Sequence, residues 1–215
     1  MKNSAFIIIL LALGLLFVSY KWVSSQTSGQ PVATSGSDAI DIIMTRASVR
    51  AYTDREVSNE TVDTLLRAAM AAPTAGNKQP WRFVVIRDRA ILDTIASEFK
   101  PMGMMKEARL AVVVCGDTTA TFSGEGVGYW VQDASAASEN LLLAAHALGL
   151  GAVWCGVYPM SERVERFSAL LRLPREIIPL NCIAVGYPSG DTAPKDKWNP
   201  DYVRYDAWSG ATASN

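Results

Sequence analysis

Four short apolar runs, each the length of a β-strand, are spaced along the chain between segments of helical periodicity. The runs are RFVVIR at 82–87, LAVVVCGD at 110–117, AVWCGV at 152–157 and LNCIAVGYP at 180–188. The longest helical pattern, YWVQDASAASENLLLAAHALGLG, has small residues in its middle that permit close packing against another helix. Helices and strands alternate irregularly, so the sequence predicts a sheet flanked by helices.

Shorter helices are predicted from apolar spacing and from capping residues. A helix begins near Asp38 and ends near Arg46, and a second follows Ser58 or Asn59 as its cap and stops before Pro73. Two more are predicted over 89–99 and 161–171.

Size, charge and cysteine usage exclude several classes of protein. The chain has 215 residues and a formal net charge of −1, which suits one domain and gives no concentrated basic field for nucleic acid. Cys115, Cys155 and Cys182 lie in or beside apolar runs, are odd in number and form no CxxC pair. We therefore expect buried, small hydrophobic cysteines rather than a disulfide framework or a zinc site.

The N-terminus carries an apolar segment from Ala5 to about Tyr20. It predicts that residues 1–25 are a signal peptide or an uncleaved membrane anchor, because the length falls between the two. The Ser/Thr/Gly-rich residues 26–37 predict a flexible linker, and residues 209–215 a disordered tail. We expect an exported or membrane-anchored protein of the periplasm or cell envelope, with a cytoplasm-facing anchor as the alternative.

Common catalytic constellations are missing from the sequence. The chain has one histidine, His146, inside the long helical pattern, so neither a Ser-His-Asp or Cys-His site nor a multi-His metal site is expected. The glycine-rich stretches GEGVG and GLGAVW do not complete GxGxxG. The remaining option is chemistry carried by an organic cofactor, for which the protein supplies binding and electrostatics.

Two stretches concentrate polar groups suited to such a cofactor. In TRASVRAYT, Arg46, Ser48 and Arg50 alternate, so in an extended segment two guanidinium groups and a hydroxyl face the same way and suit a phosphate dianion. The turn AAPTAGNKQP, before the first strand, gathers small and polar residues between two prolines. This turn predicts a pocket for a flat polar ligand.

Four stretches in order resemble the nitroreductase family of FMN-dependent oxidoreductases. They are TRASVRAYTDREV, AMAAPTAGNKQPWRFVVIRD, DASAASENLLLAAHALGLGAVWCGVYP and IAVGYPSGDTAPKDKWNPDYVRYDAW. The resemblance covers about residues 38–208, the expected FMN-binding domain. It implies a three-layer α+β fold with a mixed, mainly antiparallel sheet, and an intertwined homodimer with one FMN at each side of the interface.

The resemblance also implies roles for particular residues, while the flavin N5 atom carries the chemistry and no side chain is catalytic. Arg46 and Ser48 would hold the FMN phosphate and Arg50 the pyrimidine edge, whereas Ala47 stands where the family often has a second Arg. The resemblance implies three further groups of cofactor contacts. The turn of the second subunit contributes Pro73, Thr74, Asn77 and Gln79, and the strand end that faces the reactive flavin edge contributes Cys155 and Gly156. The tail returns Lys195 and Lys197 to the phosphate.

The implied activity is hydride transfer from NADH or NADPH to FMN and electron transfer onward to a nitro-aromatic, quinone or similar flat acceptor, with ping-pong kinetics. Alternatives are reductive dehalogenation or flavin fragmentation on the same scaffold, and a flavin-binding electron-transfer protein without turnover. Residues 118–129 are short for the lid that the dehalogenating and flavin-fragmenting relatives carry, which favours an open site. Because NAD(P)H is scarce outside the cytoplasm, an exported form would need an inward-facing anchor or a protein electron donor.

Overall fold

The computed structural model describes residues 36–190 and 192–209, with side chains from residue 38. The chain divides into two compact units between Asp41 and Ile42, and the architecture below is that of the second unit. The predicted leader, most of the predicted linker and nearly all of the predicted tail lie outside the described residues. Among the residues described, no helix combines the length and the apolar character needed to cross a bilayer.

Nine regular elements make up the described fold. They are α1 (Gly36–Thr45), α2 (Asn59–Met70), β1 (Trp81–Ile86), α3 (Arg89–Glu98), β2 (Leu110–Asp117), α4 (Tyr129–Ala147), β3 (Gly151–Gly156), α5 (Ser161–Leu171) and β4 (Ile177–Gly186). Short 3₁₀ turns at Ala75–Asn77, Lys100–Lys106, Gly124–Gly128 and Pro200–Tyr202 connect or extend them.

The four strands form one sheet in the order β1-β2-β4-β3, and each neighbouring pair is antiparallel. Cys155 on β3 lies opposite Cys182 on β4, and the register between β2 and β4 shifts between Val114 and Cys115. The predicted α+β class is confirmed. The parallel contribution to the sheet is an isolated bridge between Ser48 and Ala152 rather than a parallel strand pair.

Helices cover both faces of the sheet, which gives three layers. On β2, Val112 and Val114 pack into the core that holds residues of α2 and α4. The alternate residues Ala111 and Val113 pack into a second core with residues of α3, the 100–106 turn and α5. Because successive side chains of a strand point to opposite faces, a strand buried on both faces must be apolar, as β2 is from Leu110 to Gly116. Full burial of each large aliphatic side chain contributes about 1.5–3 kcal/mol.

Side chains cap the starts of α2 and α3, and the predicted cap at Ser58 is confirmed. α1 begins at Gly36, so Asp38 lies inside the helix rather than before it. The Ser58 hydroxyl accepts a hydrogen bond from the amide of Thr61 at 3.2 Å, and the Asp88 carboxylate accepts one from the amide of Ala90 at 2.8 Å. Each cap satisfies an amide that has no partner within its own helix. α2 ends at Met70, ahead of Pro73, so the turn between α2 and β1 starts where the sequence predicts.

Candidate functional site

Residues 48–53 run beside β3 and past the end of β4. The Val49 amide donates to the carbonyl of Ala152 at 3.1 Å, and the Thr53 amide donates to the carbonyl of Tyr187 at 2.8 Å. Arg46 directly precedes this stretch, and its amide still donates to the carbonyl of Ile42 at 3.1 Å, as in the last turn of α1. The predicted extended segment therefore starts at Ser48 rather than at Arg46.

Two glycines allow this segment to lie close to the sheet. A Cβ atom on Gly151 would lie 2.6 Å from the Cβ of Val49, and one on Gly186 would lie 2.9 Å from the ring of Tyr52. The Tyr52 hydroxyl donates to the carbonyl of Val49 at 2.7 Å, and burial raises the pKa of this phenol. Tyr52 is thus a neutral, buried anchor that fixes the segment on which the charged side chains sit.

A cavity of about 300 Å³ lies where this segment meets the C-terminal tail. Four of its lining side chains are cationic, two carry hydroxyl groups, and none is acidic. Guanidinium, ammonium and hydroxyl donors around one volume match the donor set that a phosphate dianion requires. The lining residues are Arg46, Ala47, Ser48, Arg50, Thr192, Ala193, Lys195 and Lys197.

Arg46 is held in place by an acidic residue on α4. Its Nε lies 3.3 Å from a carboxylate oxygen of Glu139, and the Arg46 side chain is only 17% exposed. Such a half-exposed pair contributes at most about 1 kcal/mol to stability. Its consequence here is orientation, because the ion pair restrains a guanidinium that also lines the cavity.

The end of β3 lies near two further guanidinium groups. Burial raises the pKa of the Cys155 thiol, and the charges of Arg50 and Arg163 oppose that rise. Arg163, on the first turn of α5, donates through Nη1 to the carbonyl of Gly156 at 2.9 Å. Sequence reasoning missed Arg163, which occupies an ordinary position in an amphipathic helix and carries no distinguishing signal.

All three cysteines are free and buried, as predicted. Burial raises the pKa of Cys115 to about 12 and raises that of Cys182 well above its usual value. A thiol with a raised pKa is a poor nucleophile because the thiolate is scarce. The single histidine is also engaged structurally, with Nε2 of His146 2.9 Å from the hydroxyl oxygen of Thr45.

The turn between α2 and β1 is an exposed loop with an unusual backbone. Gly76, Asn77 and Gln79 have positive φ angles of 55°, 54° and 49°. For the two residues with side chains this costs about 1–3 kcal/mol each, so the surrounding structure must hold the conformation. Inside the loop, the Gln79 amide donates to the hydroxyl of Thr74 at 3.3 Å, and the Gln79 side chain donates to that of Asn77 at 2.8 Å.

Three charged residues outside the loop support it. Arg82 donates to the carbonyl of Gln79 at 3.2 Å and to the carboxylate of Asp117 at 2.7 Å. Burial alone would raise the pKa of Asp117, but hydrogen bonds from Thr119 and the Arg82 charge together lower it. At the other end of the loop, a carboxylate oxygen of Asp133 accepts from the Ala75 amide at 2.9 Å.

Within one chain, the structure brings only part of the predicted site together. The predicted phosphate residues and the two tail lysines line one cavity. The loop residues and the strand end are not among that cavity's lining residues: Pro73, Thr74, Asn77 and Gln79; Cys155 and Gly156.

The chain belongs to the nitroreductase family, whose model matches residues 43–118 and 96–187. A Methanothermobacter thermautotrophicus protein provisionally named NADH dehydrogenase/NAD(P)H nitroreductase is 45% identical over 175 residues, covering 81% of this chain and 90% of its own. A relative of the same name from Archaeoglobus fulgidus is 42% identical over 174 residues, covering 80% of this chain and 99% of its own. The structure of a provisionally named Desulfovibrio desulfuricans nitroreductase in complex with FMN matches with a TM-score of 0.64 at 34% identity, over 76% of this chain and 94% of that chain.

The predicted export or membrane anchoring is wrong. The Archaeoglobus fulgidus relative is covered over 99% of its length by 80% of this chain, so it has no counterpart of a 25-residue leader beside the catalytic domain. The prediction rested on the N-terminal apolar run and its flanking residues, and this run of 16 residues from Ala5 to Tyr20 is shorter than the roughly 20 residues that a spanning helix needs.

Proposed function

We propose that this protein takes hydride from NADH or NADPH and passes electrons, in a separate half-reaction, to nitro-aromatic, quinone or similar flat acceptors. Its family and its NAD(P)H-named and FMN-bound relatives make it an FMN-dependent NAD(P)H oxidoreductase. The observation that carries the proposal is the cationic cavity between residues 46–50 and the tail. We take residues 38–208 as the FMN-binding domain.

We assign the phosphate end of FMN to this cavity. Arg46 and Ser48 hold the phosphate together with Lys195 and Lys197, whose side chains line the same volume. Each charge-assisted bond from these donors is shorter and stronger than a neutral one. Ala47 contributes its backbone position but no donor side chain, so the phosphate depends more heavily on Arg46.

We assign the flavin ring to the region between Arg50 and the end of β3. When bound, FMN supplies two-electron chemistry, and a cation at the pyrimidine edge stabilises the negative charge that reduction places there. The charge of Arg50 acts on Cys155, which supports a ring position between the two. Cys155 and Gly156 contribute backbone groups, since the thiol of Cys155 is buried and its pKa is raised.

We propose a homodimer in which the loop 73–80 of one subunit completes the site of the other. Two observations support an interface between copies. β1 pairs only with β2 in the described sheet, and beside it lies a groove of about 460 Å³ lined by apolar residues of β1, α3 and α5 together with the charged residues Arg87, Asp88 and Arg172. The tail carries Trp198, Tyr202 and Trp208 with 66%, 78% and 82% of their surface exposed, which suits burial against a second copy.

Residues 118–129 support an open acceptor side. Phe122 packs on the loop, because a Cβ atom on Gly76 would lie 2.7 Å from the Phe122 ring. The Phe122 and Tyr129 rings meet edge to face with centroids 5.9 Å apart, and both rings are about 40% exposed. Because residues 118–129 pack on the loop 73–80 of the same chain, we expect them to cover little of the acceptor side. The proposed site would therefore admit flat acceptors of different sizes.

The proposed phosphate site predicts a specific loss of FMN affinity. Arg46→Gln raises the FMN dissociation constant about 10- to 100-fold, and Ser48→Ala raises it about 3- to 10-fold, because charged hydrogen bonds contribute more than neutral ones. Fluorescence titration of the FMN-free protein measures both. Arg166→Gln is the matched control, since Arg166 pairs with Glu98 at 2.8 Å outside the cavity. Wild-type affinity in Arg46→Gln would contradict the assignment.

The proposed reaction order predicts ping-pong kinetics. Initial rates measured against NADH at several fixed concentrations of a benzoquinone or a nitro-aromatic should give parallel double-reciprocal lines, because both substrates use the same flavin face in turn. Lines that intersect would indicate a ternary complex and contradict the proposal.

The proposed exchange of loops predicts complementation between two defective subunits. Arg46→Gln damages the phosphate side and a Thr74→Ala, Asn77→Ala double variant damages the loop, so a heterodimer of the two has one intact site. Purified through two different affinity tags, the heterodimer should bind about one FMN per two chains with near wild-type affinity, whereas each variant homodimer binds weakly. Two weak sites in the heterodimer, or a monomeric protein in solution, would refute the shared site.

A further inference from the structure

The conformation of the loop 73–80 is held only in part by hydrogen bonds within the loop. Asn77 and Gln79 have positive φ, and the loop from Gly76 to Gln79 is exposed, so apolar burial does not hold it. The 3₁₀ turn at Ala75–Asn77 begins after Thr74, whose side chain makes no capping bond to the turn. The Thr74 hydroxyl instead accepts from the Gln79 amide at 3.3 Å.

The missing cap comes from a different element. Asp133 lies on α4, 58 residues along the chain from Ala75, and its Oδ1 accepts the Ala75 amide at 2.9 Å. The first amides of a helical turn lack internal partners and carry partial positive charge, so a carboxylate is the favoured acceptor there. Asp133 therefore acts on the turn as a capping residue supplied through tertiary structure.

Asp133 is an unfavourable residue for the place it occupies on α4. It is 4% exposed, and its neighbours on the same helix face include Trp130, Ala134 and Ala137. Its second oxygen, Oδ2, has no hydrogen-bond partner among the described residues. A buried carboxylate with one bonded oxygen is costly, and an apolar residue of similar size would suit this face of α4 better. Its bond to Ala75 is the contact that distinguishes it from an ordinary core position.

We propose that Asp133 is the positioning residue of the loop 73–80, which it holds in the conformation that presents Thr74, Asn77 and Gln79 to FMN. The inference rests on the proposed function for the identity of the ligand, whereas the link between Asp133 and the loop conformation is independent of it. The hydrogen-bond acceptor at Oδ1 is the required feature. An amide oxygen at the same place keeps most of the effect, and an apolar side chain removes it.

Three variants of the full chain separate this role from a structural one. Asp133→Leu keeps the size and removes the acceptor, and Asp133→Asn keeps an acceptor and removes the charge. The matched control is Asn140→Leu, because Asn140 lies on the same helix and donates to the carbonyl of Ala68 at 3.0 Å without touching the loop. Far-UV circular dichroism and thermal unfolding establish that each variant folds.

The first readout is amide hydrogen exchange of the FMN-free proteins, resolved for peptides that cover residues 73–80. Asp133→Leu should exchange at least about 10-fold faster than wild type at Ala75 and its neighbours. Asp133→Asn should stay within about 3-fold of wild type, and Asn140→Leu should not differ there. Unchanged exchange in a folded Asp133→Leu protein would overturn the proposal, as would equal acceleration in Asp133→Leu and Asn140→Leu.

The second readout is FMN affinity by titration. Asp133→Leu should bind about 10- to 100-fold more weakly while its melting temperature is equal to or above that of wild type, since removal of a buried charge offsets the lost cap. Asp133→Asn should restore most of the affinity, and failure to do so would contradict the acceptor role. If Asp133→Leu does not fold, Asp133→Ala, which also removes the acceptor, takes its place in both readouts, and wild-type exchange and FMN affinity in that variant would overturn the proposal. Wild-type protein that binds no FMN would refute the proposed function, while the exchange data would still test Asp133.

Discussion

The site depends on the attachment of residues 48–53 to the edge of β3 that does not pair with β4. Backbone bonds from Val49 and Thr53 fix the register, and the buried Tyr52 hydroxyl prevents rotation of the segment. Gly151 and Gly186 make the contact possible, because any side chain there would overlap Val49 or Tyr52. Val49 and Tyr52 are buried against the sheet, and Ser48 and Arg50, beside and between them, remain exposed. The backbone attachment to the sheet thereby fixes the positions of the Ser48 and Arg50 donors.

Electrostatics explains why the attached segment suits an anionic cofactor. Arg46 is restrained by Glu139, yet the four cationic residues that line the cavity face no acidic lining residue. Like charges around one small volume repel one another, and a bound dianion removes that repulsion while it gains charge-assisted bonds. Lys195 and Lys197 come from the tail, so ligand binding and the position of the tail are coupled. The same tail presents exposed aromatic residues, which connects the cofactor site to the proposed dimer.

Local sequence patterns predicted the helices and strands, whereas the roles of Asp133 and Arg163 arise from tertiary contacts that such patterns do not contain. The apolar run of β2 and the cap at Ser58 are read correctly because one residue type at one spacing decides them. Asp133 and Arg163 escaped prediction because their roles depend on partners 58 and 7 residues away that no local pattern couples. The one available signal was an acidic residue at buried spacing on α4. The expectation of export was wrong because the hydropathy of a terminal segment does not by itself determine where a protein is located.

The central claim is that NAD(P)H reduces an FMN bound by the residues of this chain. The most direct test is the visible spectrum of the full-length protein, produced with FMN supplied and mixed anaerobically with NADH and, separately, NADPH. We expect a protein-bound flavin band that bleaches with at least one of the two nucleotides and returns on addition of a quinone. A bound flavin band that persists with both nucleotides would refute NAD(P)H as the electron donor, and protein that retains no flavin would refute the FMN site.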